Sequence, residues 1–101
     1  MAYASTVRVS VTEGAAATAK SLVQQMLANR RHWQTSGDLL RAYVFCSEDQ
    51  AQFELVSIWA SKAAHDRHED DPAEAPLLRQ LVPHLTGQPS EVAGEVVAEL
   101  A

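Results

Sequence analysis

Two adjacent runs, Leu39 to Cys46 and Phe53 to Trp59, carry apolar residues on both alternating sides, and a short connection containing the polar stretch Ser47-Glu48-Asp49-Gln50 joins them. A connection that short predicts an antiparallel hairpin. Leu40, Ala42 and Val44 oppose Tyr43 and Phe45 in the first run; Phe53, Leu55 and Trp59 oppose Val56 and Ile58 in the second. A sheet built from such strands wants cover on both faces, so helices on one side leave a second face that needs a partner.

The rest of the chain supplies the helices. Val7, Val9 and Val11 alternate with Arg8, Ser10 and Thr12, the pattern of a half-buried strand ended by Glu13-Gly14. From Ala15 the period changes, and Ala19, Leu22, Val23, Met26 and Trp33 fall on one side of a long amphipathic helix closed by Ser36-Gly37. A short helix after Ser61 runs toward Asp71-Pro72, a second starts near Pro76 with Leu77, Leu78, Leu81 and Leu85 as its apolar anchors, and Pro83 with Gly87-Gln88-Pro89 ends it. Val92, Val96 and Leu100 suggest a last strand reaching the C-terminus. The order β-α-β-β-α-β predicts an α+β, ferredoxin-like domain over residues 1–101: a four-stranded antiparallel sheet with both helical segments on one face. The bare face is expected to pack on a second copy, giving a homodimer.

Composition narrows the class. With 47% apolar residues and four glycines and four prolines in 101, the chain is too hydrophobic to be disordered. The net charge of −5, with basic residues early and Asp66, Glu69, Asp70, Asp71 and Glu74 clustered late, argues against nucleic acid. Arg30-Arg31 reads as a solvated helix end. A single cysteine, Cys46, excludes an internal disulfide framework and sits in the alternation as a packed thiol. No apolar stretch is long enough for a membrane span and no leader pattern opens the chain, so the expected setting is the cytoplasm, with no membrane partner.

The segment Trp59-Ala60-Ser61-Lys62-Ala63-Ala64-His65 gathers an indole donor, a helix-capping serine and, one turn on, an imidazole able to move a proton near neutral pH. Each has an ordinary structural role to compete with: Trp59 as core filler, His65 as a solvated helix residue, and Arg79, farther along, as a surface ion-pair partner. Trp33, Tyr43 and Phe45 could line an aromatic-accepting pocket, but core packing explains them equally well.

With the element order, Gly14 and Gly37, the motif Trp59-x-Ser61-x-x-Ala64-His65, Asp71-Pro72, the leucine-rich run around Arg79 and the return through Gly87 and Pro89, the chain resembles the antibiotic biosynthesis monooxygenase-like family over about residues 5 to 100. The resemblance implies a dimeric α/β barrel whose sheets pack together. It also implies an active site between sheet and helices, and oxygenation of a phenolic, quinol or polyketide-type aromatic without metal, flavin or other cofactor. In that chemistry the substrate anion itself reduces oxygen, and the protein binds, deprotonates and stabilises charge.

The resemblance places the catalytic roles on Trp59, His65 and Arg79 and sets Leu55 at the substrate, with Trp33 and Phe45, from their own patterns, as further candidates for the substrate wall. Leu55 stands where related oxygenases carry an asparagine, which removes a polar orienting group. Some relatives degrade haem with a strand-one asparagine; Thr6 and Val7 stand there instead, leaving His65 or His68 as the only iron ligands. A metal reading of His65, His68 and Glu69, with Asp70, Asp71 and His32 as further donors, lacks a defined third or fourth ligand. The alternatives to an oxygenase are a non-catalytic dimeric binding module of the same fold, a haem-binding relative, and an isomerase or decarboxylase.

Overall fold

The computed structural model describes residues 2–69 and 71–100. Four strands, β1 (Tyr3–Ser10), β2 (Leu39–Cys46), β3 (Gln52–Trp59) and β4 (Ser90–Glu95), form one antiparallel sheet in the order β2-β3-β1-β4. Helices α1 (Ala16–Asn29), α2 (Arg31–Thr35), α3 (Lys62–His68) and α4 (Ala75–Leu81) connect them, with 3-10 turns at Pro72–Glu74 and Val82–His84. This is the ferredoxin-like α+β architecture that the periodicity predicts.

The central pair, β1 and β3, sets the register for everything else. Tyr3 lies opposite Trp59, Ser5 opposite Ser57, Val7 opposite Leu55 and Val9 opposite Phe53. These side chains share the helix-covered face, because strand residues two apart point the same way. β2 joins β3 with Val44 opposite Leu55 and Ala42 opposite Ser57, and a bulge between Leu39 and Arg41 makes Leu40 the extra residue. The bulge breaks the alternation that put Leu40 on the side of Ala42 and Val44: Leu39 turns into the core at 3% exposure, while Leu40 is 47% exposed.

Three other sequence expectations change. The long helix is interrupted at Arg30, whose N–H reaches back only three residues to the Leu27 carbonyl (3.0 Å) and whose ψ of −1° departs from helical values. Trp33 thus belongs to a separate short helix and packs at a different end of the sheet from Leu22 and Val23. The last strand stops at Glu95; Val97 and Leu100 are exposed, so the apparent alternation to the C-terminus is not a strand. Cys46 is likewise exposed, since it ends β2 beyond the helix cover. Gly37, at φ +88°, supplies the left-handed turn out of α2.

The core has two parts. Val9, Val11, Ala19, Leu22, Val23, Phe53 and Leu81 form an aliphatic-rich cluster beneath α1 and α4. Trp33, Leu39 and Trp59 form a second, aromatic cluster at the α2–α3 end, with Tyr3 and Ala42 against it. On the opposite face of the sheet Tyr43, Phe45 and Val92 are about half or more exposed, beside the Arg8–Glu54 ion pair at 3.3 Å. Among the described residues, no helix is long and apolar enough to cross a membrane.

Candidate functional site

Between the two clusters the helix-covered face turns polar. Ser5 and Ser57, opposite each other on β1 and β3, are buried at 6% and 1% exposure, positions where alternation calls for apolar residues. Both are hydrogen-bonded, as burial demands. Ser5 Oγ accepts the Trp59 indole N–H at 3.0 Å, and Ser57 Oγ accepts from Arg30 Nη1 at 2.8 Å. Each hydroxyl thereby keeps its own proton to donate, and among the described residues neither donates it to a protein acceptor.

Arg30 is the opposite of a solvated helix end. Its side chain is 11% exposed, forks onto Glu74 through Nε (2.7 Å) and Nη2 (3.2 Å), and lies over the Trp33 ring at 5.2 Å. The interruption of the helix at this residue is what lets the guanidinium reach across to β3. Arg31, its neighbour, is exposed as expected.

Helix α3 brings the imidazoles. Ser61 caps it by accepting the Ala64 N–H at 3.1 Å, as the sequence suggested. His65 is buried rather than solvated, 6% exposed, with its ring 5.6 Å from Trp59 edge-on and 5.1 Å from Tyr3. Its Nδ1 lies 2.9 Å from Asp66 Oδ1, and its Nε2 faces Glu91 Oε1 at 3.7 Å, beyond hydrogen-bond length. Asp66 is further held by Lys62 at 2.8 Å, and these two partners keep its carboxyl below the usual range. An anionic Asp66 favours the tautomer with the proton on Nδ1, leaving Nε2 as the acceptor.

His68 does different work. Its ring stacks on Trp33 at 4.5 Å and its Nε2 lies 2.9 Å from Asp38 Oδ2. Arg67 completes that cluster through Asp38 Oδ1 at 2.7 Å. The hydrogen bonds from Arg67 and then His68 hold the Asp38 carboxyl down from 3.8 to about 2. Asp71 accepts the Trp33 indole N–H at 3.2 Å, so both tryptophans have their N–H satisfied.

These residues enclose a polar cavity of about 40 Å³ lined by Ser5, Ser57, Trp59, His65, Arg30 and Glu91, among others. A second cavity, about 60 Å³, lies under α1 and α4 and is lined by Val9, Val23, Met26, Phe53 and Leu78 with other apolar side chains. Val7 and Leu55 line both. Each compartment is smaller than the ~150 Å³ void that admits a benzene, so a ligand must displace part of the wall. Glu91 and Glu69, both exposed, are the parts free to move. A broader groove of about 370 Å³ runs outside, along α1, α2 and β2, and Arg30 lines that as well.

The structure therefore brings Trp59, His65 and Leu55 to one cavity and places Trp33 directly behind, 5.8 Å from Trp59. It does not bring Arg79 or Phe45 there. Arg79 is exposed on α4 and lines neither cavity, because the buried side of that helix is taken by Leu77 and Leu81. Phe45 projects from the opposite face of the sheet, 51% exposed, since its register partner is Glu54 rather than an inward residue. The Trp59 N–H, spent on Ser5, leaves the indole as a wall rather than a donor.

Of the metal reading, His65 and Glu69 do come together, but Asp66 rather than His68 is the third member, with ligand atoms within 4.8 Å. His68 is turned to Asp38, Asp71 to Trp33, and His32 packs on the edge of Trp33 at 5.4 Å. Asp70 lies outside the described residues. Haem does not fit: the His65 ring is wedged between Tyr3 and Trp59, the His68 Nε2 is occupied, and the cavity would not hold a single benzene unaltered.

Ser5, Ser57, Arg30, Asp66 and Glu91 are the site residues that sequence reading missed. Two serines at inward positions of otherwise apolar strands were the available signal. Nothing local marks Arg30, whose partners are 27 and 44 residues away.

The chain has the fold of the antibiotic biosynthesis monooxygenase structures. No protein-family model matches the chain, and neither does any curated protein. Among solved structures, an antibiotic biosynthesis monooxygenase is similar at TM-score 0.81 and 15% identity, over 95% of this chain and 99% of the other. Rv0793 from Mycobacterium tuberculosis is similar at TM-score 0.83 and 17% identity, with all of both chains covered. A variant of SnoaB, a cofactor-independent oxygenase from Streptomyces nogalater, gives 0.79 and 16%, over 98% and 96%.

Proposed function

We propose that the protein is a small cofactor-independent monooxygenase whose substrate is a phenolic or quinol-type aromatic of modest size, bound against Trp59. The observation that carries this reading is the buried His65 imidazole, held at Nδ1 by the exposed Asp66 carboxylate, which leaves Nε2 as a base at a cavity holding two unspent serine hydroxyls. His65 Nε2 takes the substrate hydroxyl proton, and the hydroxyls of Ser5 and Ser57 donate to the resulting oxyanion. Both hydroxyls are polarised by the N–H groups they accept, and Arg30 adds positive charge behind Ser57. This moves the anion-stabilising role from Arg79 to Arg30 and the serines. The carbanion-like carbon of the anion then gives electrons to dioxygen. In the net conversion of a phenol to a quinone, a ring C–H ortho or para to the oxyanion becomes C=O: one oxygen atom of O2 is retained there, the other leaves as water with the hydroxyl proton and the ring hydrogen, and the substrate supplies all four electrons.

Similarity to SnoaB, a cofactor-independent oxygenase, supports the reaction type, and the small compartments favour one ring over a fused system. The exposed Tyr43, Phe45 and Val92 on the opposite face support a homodimer formed through the sheets. Leu55 supplies no polar contact for orienting a ring, which favours a second reading, ligand binding without turnover.

Oxygen uptake by metal-stripped, flavin-free protein with a panel of phenols and hydroquinones decides between these. Uptake above the uncatalysed rate, reduced at least 100-fold by His65→Asn and unchanged by Arg79→Ala, is the expected result. Saturable binding with no uptake across the panel would replace oxygenation with the binding reading.

A further inference from the structure

The two compartments differ in chemistry and meet at one pair of side chains. Reading along the helix-covered face of β1 and β3, the cross-strand pairs run Tyr3–Trp59, Ser5–Ser57, Val7–Leu55, Val9–Phe53. Polar groups able to bind a hydroxyl or an oxyanion lie on one side of Val7–Leu55. On the other side the cavity lining is entirely apolar, with Val9, Val23, Met26, Phe53 and Leu81 among its walls. A ligand that filled only the polar side would leave the apolar void beside it empty. One that filled only the apolar side would leave the serine hydroxyls and His65 Nε2 without partners.

We infer that the ligand is amphipathic: a ring bearing an ionisable hydroxyl in the Ser5–Ser57–His65 compartment, with an aliphatic substituent passing the Val7–Leu55 partition into the chamber under α1 and α4. Leu55 is then the specificity-determining residue that sets how long that substituent can be. The inference rests on the proposed site at Trp59 and His65 and adds a substrate class to it. It also gives Leu55 a positive role, since a polar residue at the partition would obstruct an alkyl chain that leucine accommodates.

The test is binding of phenol and of 4-alkylphenols with one to six carbons, followed by quenching of tryptophan fluorescence and by calorimetry. Affinity of the wild-type protein is expected to rise about fourfold per added carbon until the chamber is full, then to fall. Leu55→Ala should move the optimum to a longer chain, and the milder Leu55→Phe, which adds bulk without a polar atom, should move it to a shorter one. Replacing the hydroxyl of the best homologue by a methoxy group should weaken binding at least tenfold. Affinity that is flat with chain length, an optimum that neither Leu55 variant moves, or equal binding of the methoxy analogue would overturn the inference. Because turnover is not read, an inert protein that shows the chain-length ladder refutes oxygenation and leaves this inference standing. A protein that consumes oxygen but shows no ladder does the reverse.

Discussion

The two ends of the helix-covered sheet face solve the same packing problem with different materials. Under α1 and α4, Val9, Leu22, Val23, Phe53 and Leu81 interlock with no polar atom to satisfy. Under α2 and α3, two tryptophans, two imidazoles, an arginine and two buried serines occupy the same depth, each tied by a named hydrogen bond or ring contact. The first arrangement needs only volume and apolarity; the second needs particular atoms at particular distances. A protein gains little stability by choosing the second. Both ends hold a cavity, and the polar groups around one of them are what support the proposed site at that end.

The contrast can be broken first at the aliphatic end. Phe53→Ala removes a side chain with 3% exposure and is expected to cost about 3–5 kcal/mol, read by urea denaturation at neutral pH. Because no charged group is involved there, that loss should be the same at pH 7 and pH 5.

At the polar end the cost should depend on what is left behind. Arg30→Met strands Glu74, whose side chain is only 19% exposed, and leaves Ser57 Oγ without its donor. A loss of about 2–3 kcal/mol is expected, and converting Glu74 to Gln in the same protein should recover part of it. A double variant no better than the single one would mean that the lost contacts of the guanidinium to Ser57 and the Trp33 ring, rather than the stranded Glu74 charge, set the cost.

The smallest effect is the most selective in pH. Asp38 ionises more readily folded than unfolded, so its contribution is present above its ordinary value of 3.8 and lost as pH falls through about 2. The stability difference between wild type and Asp38→Asn should therefore be constant above pH 5 and vanish toward pH 2, as followed by circular dichroism. Most of the Asp38 surroundings are solvated, so the difference is modest.

Much of this division was legible in the chain. Valines two apart before Gly14, the helical spacing of Ala19, Leu22, Val23 and Met26, and the apolar hairpin are enough to build the aliphatic end, because its only requirement is periodic burial. The polar end was readable only where a local rule applies, as with Ser61 capping α3 one turn ahead of His65. Arg30 and Glu74 were not readable, since their pairing exists only once α1 stops short and the Pro72 turn comes alongside. The placement of Phe45 and Leu40 was hidden for a simpler reason: a strand apolar on both sides does not say which side faces the helices, and the bulge at Leu40 then shifts the phase. Arg79 failed because a family role followed the sequence position, whereas the helix turns that position to solvent.

The central claim is that the Trp59 end receives a hydroxyl-bearing ring at the His65 imidazole. Nitrogen NMR of the protein labelled at histidine, titrated with the best-binding 4-alkylphenol, tests it directly. The account predicts a saturable shift of the His65 Nε2 resonance, a smaller one at His68, and none at His32 or His84. Saturation of the protein with His65 unmoved would contradict it.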